Sequence, residues 1–235
     1  MDITKVGEGR VYLLSGGGKV YTDIAARFCK SERPVLEIVD SPYSEKIVRT
    51  IIDSGHLAAT EFDFFVFAVE GYSRVTEAQL VRKRMASYLI KSGRAELGGK
   101  RAFSMVLPER VAQYEGIGNH MAESERLYNA MVADGIPEEE ARFIKPQATE
   151  FRAIIGMNAH ALLDWFGIRC CNNAQSEIRD MAWKMLRLAR DAAPDIFKDA
   201  GPRCRTLGYC PEVWQNEKCK GKILNRQEAM ERLKA

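Results

Sequence analysis

The residues best suited to chemistry crowd into one stretch, Gln79 to Arg94. It carries Arg82, Lys83, Arg84, Lys91 and Arg94, the hydroxyls of Ser87 and Ser92, the amide of Gln79, and no carboxylate. A guanidinium is a planar fork of donors that fits phosphate oxygens in pairs, and a serine hydroxyl adds a neutral donor beside it. Such a segment can hold two phosphate groups, or one nucleotide bridging two elements. The plain alternative for an Arg-Lys-Arg run is a solvated basic helix face.

Other reactive positions are weaker. Ser15-Gly16-Gly17-Gly18-Lys19 has the look of a phosphate loop, but the spacing is wrong and Val20 stands where a Ser or Thr would hold magnesium, so it reads as a turn. His56 reads equally as a capping or core histidine and as a functional one. Cys204, Cys210 and Cys219 are separated by spacers of five and eight residues. A structural zinc site wants four ligands and tighter pairs, so this tail reads as packed thiols, and no metal is expected. Cys170 and Cys171 are adjacent, where a disulfide would be strained. No cysteine stands beside an evident base, which argues against a thiol nucleophile.

The stretch 79–94 resembles the signature of the flavin-dependent thymidylate synthases, R-H-R-x-x-S-x-N-E-x-S-G-R after a Gln. Gln79, Arg82, Arg84, Ser87, Ser92, Gly93 and Arg94 match; Lys83 replaces the His, and Leu89-Ile90 replace Asn-Glu. Gly55, His56, Glu61, Phe65, Phe67, Glu70 and Gly71 match a second block of the family, in which Phe62 replaces a His. Arg142 to Pro146 resembles its R-x-x-L-P turn. Met157-Asn158-Ala159-His160 resembles its N-A-R with His160 for the Arg, Ile168-Arg169 its L-R, and Ala174 to Arg179 its A-Q-x-E-I-R. Some members share a G-P-x-C…C-P-E…C tail. The resemblance runs from about Val11 to about Cys210.

That resemblance implies an α/β (α+β) fold, a central antiparallel sheet flanked by long helices, in a homotetramer with shared active sites. It implies methylation of dUMP, or a related one-carbon or redox step on a pyrimidine nucleotide, with methylenetetrahydrofolate, FAD and NADPH and no protein nucleophile. Gln79, Ser92, Gly93, Arg94, Arg142 and Arg169 would surround the nucleotide. Arg82, Lys83, Arg84, Ser87, Asn158 and His160 would contact the flavin. The departures at Phe62, Lys83, Leu89, Ile90, Ala95, His160 and Asp164 fall mostly on the flavin side. A second class therefore stands beside the enzyme: a nucleotide-binding paralogue that assembles with an intact partner.

The elements that must position these residues follow from composition and periodicity. At 235 residues the chain is long enough for one sizeable core, read as a single domain over 1–200 with a Cys-containing tail over 201–235. A net charge of +3, without aromatics interleaved among the cations, does not make a nucleic-acid binder. No apolar run reaches a membrane span and the N-terminus lacks a signal layout, so a cytoplasmic protein with reduced thiols is expected. Val11 to Leu14 reads as a first strand, Ile24 to Phe28 as helix, and Glu45 to Ser54 as a helix capped by Ser44 and ended by Gly55. Glu61 to Gly71 reads as a buried strand, Val75 to Ala86 as a helix and Leu89 to Gly93 as a loop, while Phe103 to Pro108 resembles the family's short strand ending in Pro. Glu109 to Ala133 reads as helix broken near Gly116, and Pro137-Glu138 as a helix start. Thr149 to Phe166 reads as a helix. A further helix opens at Ala174-Gln175, with Ile178, Met181, Met185, Leu188 and Ala192 as its core stripe, and stops at Pro194.

Overall fold

A computed structural model describes residues 2–17, 21–92 and 102–232. In chain order the strands are β1 (Asp2–Lys5), β2 (Arg10–Ser15), β3 (Phe64–Ser73), β4 (Ser87–Ile90), β5 (Ser104–Leu107) and β6 (Glu150–Asn158). The helices are α1 (Tyr21–Phe28), α2 (Val35–Val39), α3 (Glu45–Asp53), α4 (Arg74–Leu80), α5 (Glu109–Ala112), α6 (Ile117–Ala133), α7 (Glu138–Ala141), α8 (Ala159–Arg169), α9 (Ser176–Ala192), α10 (Pro194–Phe197), α11 (Arg203–Leu207) and α12 (Arg226–Arg232). The expected α/β class with an antiparallel sheet is what folds: β2, β3, β6 and β4 are neighbours in that order, and β1 pairs in parallel with β5. Among the described residues no helix is long and apolar enough to cross a membrane.

The chain forms two compact units, one of 1–11, 68–84 and 88–155, the other of 12–67, 85–87 and 156–235. In the first, β1 and β5 run in register from Ile3 opposite Met105 to Lys5 opposite Leu107. Phe103, Met105, Leu107, Met121, Tyr128 and Ala141 form its apolar cluster. Gly9 and Gly71 are fixed by close approach: a Cβ on Gly9 would strike the Tyr72 ring at 2.5 Å, and Gly71 adopts φ +74°. A side chain at either position is excluded by contact or by backbone strain.

In the second unit the core is aromatic. Phe197 meets Phe65 edge-on at 5.3 Å and Phe166 at 6.0 Å, and Trp165 packs on Phe166 at 5.7 Å. Against these lies the stripe of α9, made of Ile178, Met181, Ala182, Met185, Leu186 and Ala189. The expected Leu188 and Ala192 are only half-buried. Buried Asp63 accepts the N–H groups of Tyr21 (2.7 Å) and Thr22 (2.9 Å) and the Thr22 hydroxyl (2.6 Å), so it satisfies the open donors at the start of α1 from 42 residues away.

Several expectations are corrected. Residues 150–158 are a strand, not the start of a helix: Phe151, Ala153, Ile155 and Met157 are buried while Arg152 and Ile154 are exposed. Phe151, Ile154 and Ile155 also fit helical spacing, so only strand partners decide between the two periods. The helix expected over 75–86 ends at Leu80, and the expected loop at Leu89-Ile90 is β4. Val11 to Leu14 belongs to the second strand, since β1 precedes it. Glu61 and Phe62 lie in a 3-10 turn, Leu57–Phe62, before β3 begins. Ser44 stands at the N-cap of α3 without a side-chain cap bond, while Gly55, at φ +73°, does terminate that helix. Pro194 opens α10 as well as ending α9.

Candidate functional site

The first unit holds a cleft of about 410 Å³, within the size range of small-molecule sites. Its walls come from α4 (Arg74, Glu77, Ala78), Val81 just beyond it, Lys91-Ser92 at the exit of β4, the 3-10 turn Arg142–Ile144, and the run from Lys145 to Glu150. Local bonding fixes these walls. The N–H of Arg74 donates to the Thr149 carbonyl at 3.0 Å, and that of Val75 to the Gln147 carbonyl at 3.3 Å, which docks the start of α4 on the last segment. The Lys91 N–H donates to the Arg152 carbonyl at 2.8 Å, carrying the β4 exit alongside β6.

The charge balance of this cleft favours an anion. Arg74, Lys91, Arg142 and Lys145 line it against two carboxylates, Glu77 and Glu150. Both carboxylates are already engaged. Glu77 pairs with Arg74, and Glu150 accepts the Gly71 N–H at 3.1 Å and lies 3.3 Å from the Arg152 guanidinium. The Lys145 ammonium rests 4.2 Å over the Tyr128 ring and 5.0 Å over Phe103, which holds its charge at the wall. Exposed Arg142 donates its Nε to the Glu139 carbonyl at 3.2 Å, orienting the fork. Cations in excess around a serine hydroxyl suit a phosphate.

The structure thus brings Ser92 and Arg142 into one cleft. Gln79 lies on α4 beside the cleft-lining Ala78, and its amide donates weakly to the Val75 carbonyl at 3.4 Å. Gly93 and Arg94 lie outside the described residues, as does Ala95. Arg169 lies in the second unit, half-buried in the last turn of α8. Arg74, Lys145, Gln147 and Thr149 complete the cleft together with Lys91, and these four were not singled out from sequence. Lys91 sits inside the basic stretch and Lys145 inside the R-x-x-L-P match, so position in a motif was the available signal. Nothing local marked Arg74, Gln147 or Thr149.

Arg82, Lys83 and Arg84 occupy the turn after α4, not a helix. The Tyr88 hydroxyl bonds at 2.9 Å with the carbonyls of both Leu80 and Lys83, closing that turn, and Arg82 and Arg84 are exposed on it. Ser87 opens β4, exposed. In the second unit, Asn158 caps α8, its side-chain oxygen accepting the Ala161 N–H at 2.8 Å. His160 Nδ1 lies 3.0 Å from Glu61 Oε1. Phe62 is 67% exposed and Leu89 71%. His56 is exposed and makes no side-chain cap bond, so the core and capping readings both fail for it.

Comparison with known proteins gives the family and the fold. A family profile described as "Thymidylate synthase complementing protein" matches residues 17–195. The chain is 40% identical over 196 residues to a flavin-dependent thymidylate synthase of Geobacter sulfurreducens, covering 80% of this chain and 84% of that one. It is 42% identical over 178 residues to that of Pyrococcus furiosus, covering 72% and 73%. A crystal structure of the UMP/dUMP methylase PolB from Streptomyces cacaoi, bound with 5-Br dUMP, superposes with a TM-score of 0.72 over 84% of this chain and 96% of that chain. At 19% identity that likeness speaks to the fold.

Proposed function

This chain belongs to the flavin-dependent thymidylate synthase family, and we propose that it methylates dUMP at C5, with methylenetetrahydrofolate as one-carbon donor, FAD as the flavin and NADPH as reductant. The observation that carries the reading is the cation-rich cleft where Ser92 and Arg142 meet, of a size for one nucleotide. In this reading Arg142, Lys91 and Ser92 take the phosphate, with Arg94 as a further guanidinium, and Gln79 and Gly93 complete the nucleotide site.

The residues present suit a flavin dinucleotide. Arg82, Lys83 and Arg84 form a closed turn with two exposed guanidiniums, a donor set matched to a pyrophosphate. Ser87, Asn158 and His160, which lie in the second unit, are proposed flavin contacts in their own right. When bound, the flavin supplies the hydride that completes the methyl group. The protein's part is to hold the nucleotide, orient its base and neutralise phosphate charge.

A homotetramer with shared sites is part of the proposal. Large apolar side chains stand exposed on the strands, among them Tyr12, Leu14, Phe64, Leu89 and Ile154. Sheet residues of this kind call for cover, and further copies of the chain provide it. Light scattering should give four chains per particle, and a monomer would remove this support.

Two observations favour a second reading, a nucleotide-binding paralogue. The replacement of the motif's Arg by His160 leaves an imidazole tied to Glu61, and Phe62 adds an exposed ring. The deciding experiment is visible absorbance of the purified protein, heat release of whatever is bound, and then dTMP formation from dUMP with the three co-reactants. Flavin release and turnover establish the enzyme. A colourless protein that takes up no added FAD yet binds dUMP establishes the paralogue.

A further inference from the structure

Five of the six cysteines line one small cavity in the second unit. The cavity is about 150 Å³, and Cys170, Cys171, Cys204, Cys210 and Cys219 stand around it. Cys29 is elsewhere and exposed. None of the six is in a disulfide. Sequence spacing left the tail one ligand short of a structural site. The fold supplies a fourth, Cys171, from the loop that follows α8, 33 residues before Cys204.

We propose that Cys171, Cys204, Cys210 and Cys219 bind a single zinc ion in a four-thiolate site that fastens the tail to the loop between α8 and α9. Four thiolates select a soft, tetrahedral ion. Each thiol gives up its proton on binding, so the ion replaces protons and no oxidant or reductant takes part. Among the described residues no three His, Cys, Asp or Glu side chains stand at metal-holding distance. Binding therefore requires the sulfurs to draw in around the ion, within a cavity of about 150 Å³.

Two further observations point the same way. The Asn172 amide donates to the Cys219 sulfur at 3.2 Å, the kind of outer contact that orients a thiolate. The tail also has little core of its own: from residue 203 onward only Cys210 and Ala229 are buried among the described residues, while Leu207, Val213, Trp214 and Met230 are exposed. A segment with so few buried side chains gains its order from a cross-link. The loop is prepared for one: Arg179 donates to the carbonyls of Asn172 and Ala174 at 3.0 Å each, Asn216 to that of Asn172 at 3.1 Å, and Asn173 to that of Trp214 at 3.0 Å.

The test is metal analysis of the full chain purified under reducing conditions. One zinc per chain is expected, released in step with mercurial titration of the thiols. Cobalt exchanged into the site should give the intense visible absorbance of tetrahedral thiolate coordination. Cys219→Ser and Cys204→Ser should lose the metal, and Cys29→Ser should retain it. Wild-type protein that holds no zinc and takes up neither zinc nor cobalt overturns the proposal. So does protein that holds iron with sulfide, or whose four thiols prove to be paired as disulfides. The wild-type readouts decide the matter even where a variant fails to fold.

Discussion

His160 Nδ1 stands 3.0 Å from Glu61 Oε1, joining the first turn of α8 to the 3-10 turn that leads into β3. The family motif has an arginine at this position. An arginine there would keep the Glu61 contact and present a second edge of its fork. His160→Arg should therefore tighten FAD binding by about tenfold, the scale of one charge-assisted hydrogen bond. Flavin titration followed by absorbance checks this. Unchanged affinity would remove His160 from the flavin contacts.

Arg142 offers the exposed guanidinium of the cleft, held by its bond to the Glu139 carbonyl. Arg142→Ala should weaken dUMP by roughly tenfold to a hundredfold, since a hydrogen bond to a charged group is worth about 1.5–3 kcal/mol. Calorimetric titration measures it. Deoxyuridine, which lacks the phosphate, should bind the variant and the parent alike. A variant that loses both ligands equally would show that Arg142 does not hold the phosphate.

Phe197 is fully buried and touches two other rings edge-on. Phe197→Ala should cost about 3–5 kcal/mol of stability, through lost burial and the cavity left behind. Urea denaturation should show the midpoint fall at an unchanged slope. A loss under about 1 kcal/mol would mean that the site collapses to fill the gap.

Half-exposed Tyr43 donates its hydroxyl to Asp195. Burial first, and the Asp195 carboxylate second, hold its phenol well above the ordinary 10.0. Above that value the unfolded chain loses the phenolic proton while the folded chain keeps it. Stability is therefore fully present below pH 10.0 and declines as pH rises past it. Tyr43→Phe should flatten that decline relative to the parent. Denaturation midpoints between neutral pH and the tyrosine range would show it, and parallel curves for the two proteins would refute the assignment.

Sequence by itself determined the motifs, their order and much of the local structure. Gly55 ending α3 and the amphipathic stripe of α9 follow from turn chemistry and periodicity, which neighbouring residues encode, while the strand at Ser104–Leu107 was legible through the family resemblance. Ser92 and Arg142 could be marked as nucleotide residues through the motifs that contain them. Tertiary structure decided the rest, because it depends on pairing between distant segments. The run 150–158 satisfied both helical and strand spacing until β3 and β4 flanked it. Arg82 and Lys83 could be placed on a helix until the Tyr88 hydroxyl closed the turn beneath them. Arg74, Lys91 and Lys145 joined Ser92 and Arg142 only when α4 docked on the Gln147–Thr149 segment. Cys171 met the tail cysteines only because the loop after α8 is bonded to it through Asn172, Asn173 and Asn216. Convergence of side chains far apart in sequence is set by long-range hydrogen bonding and burial, which spacing along the chain does not record.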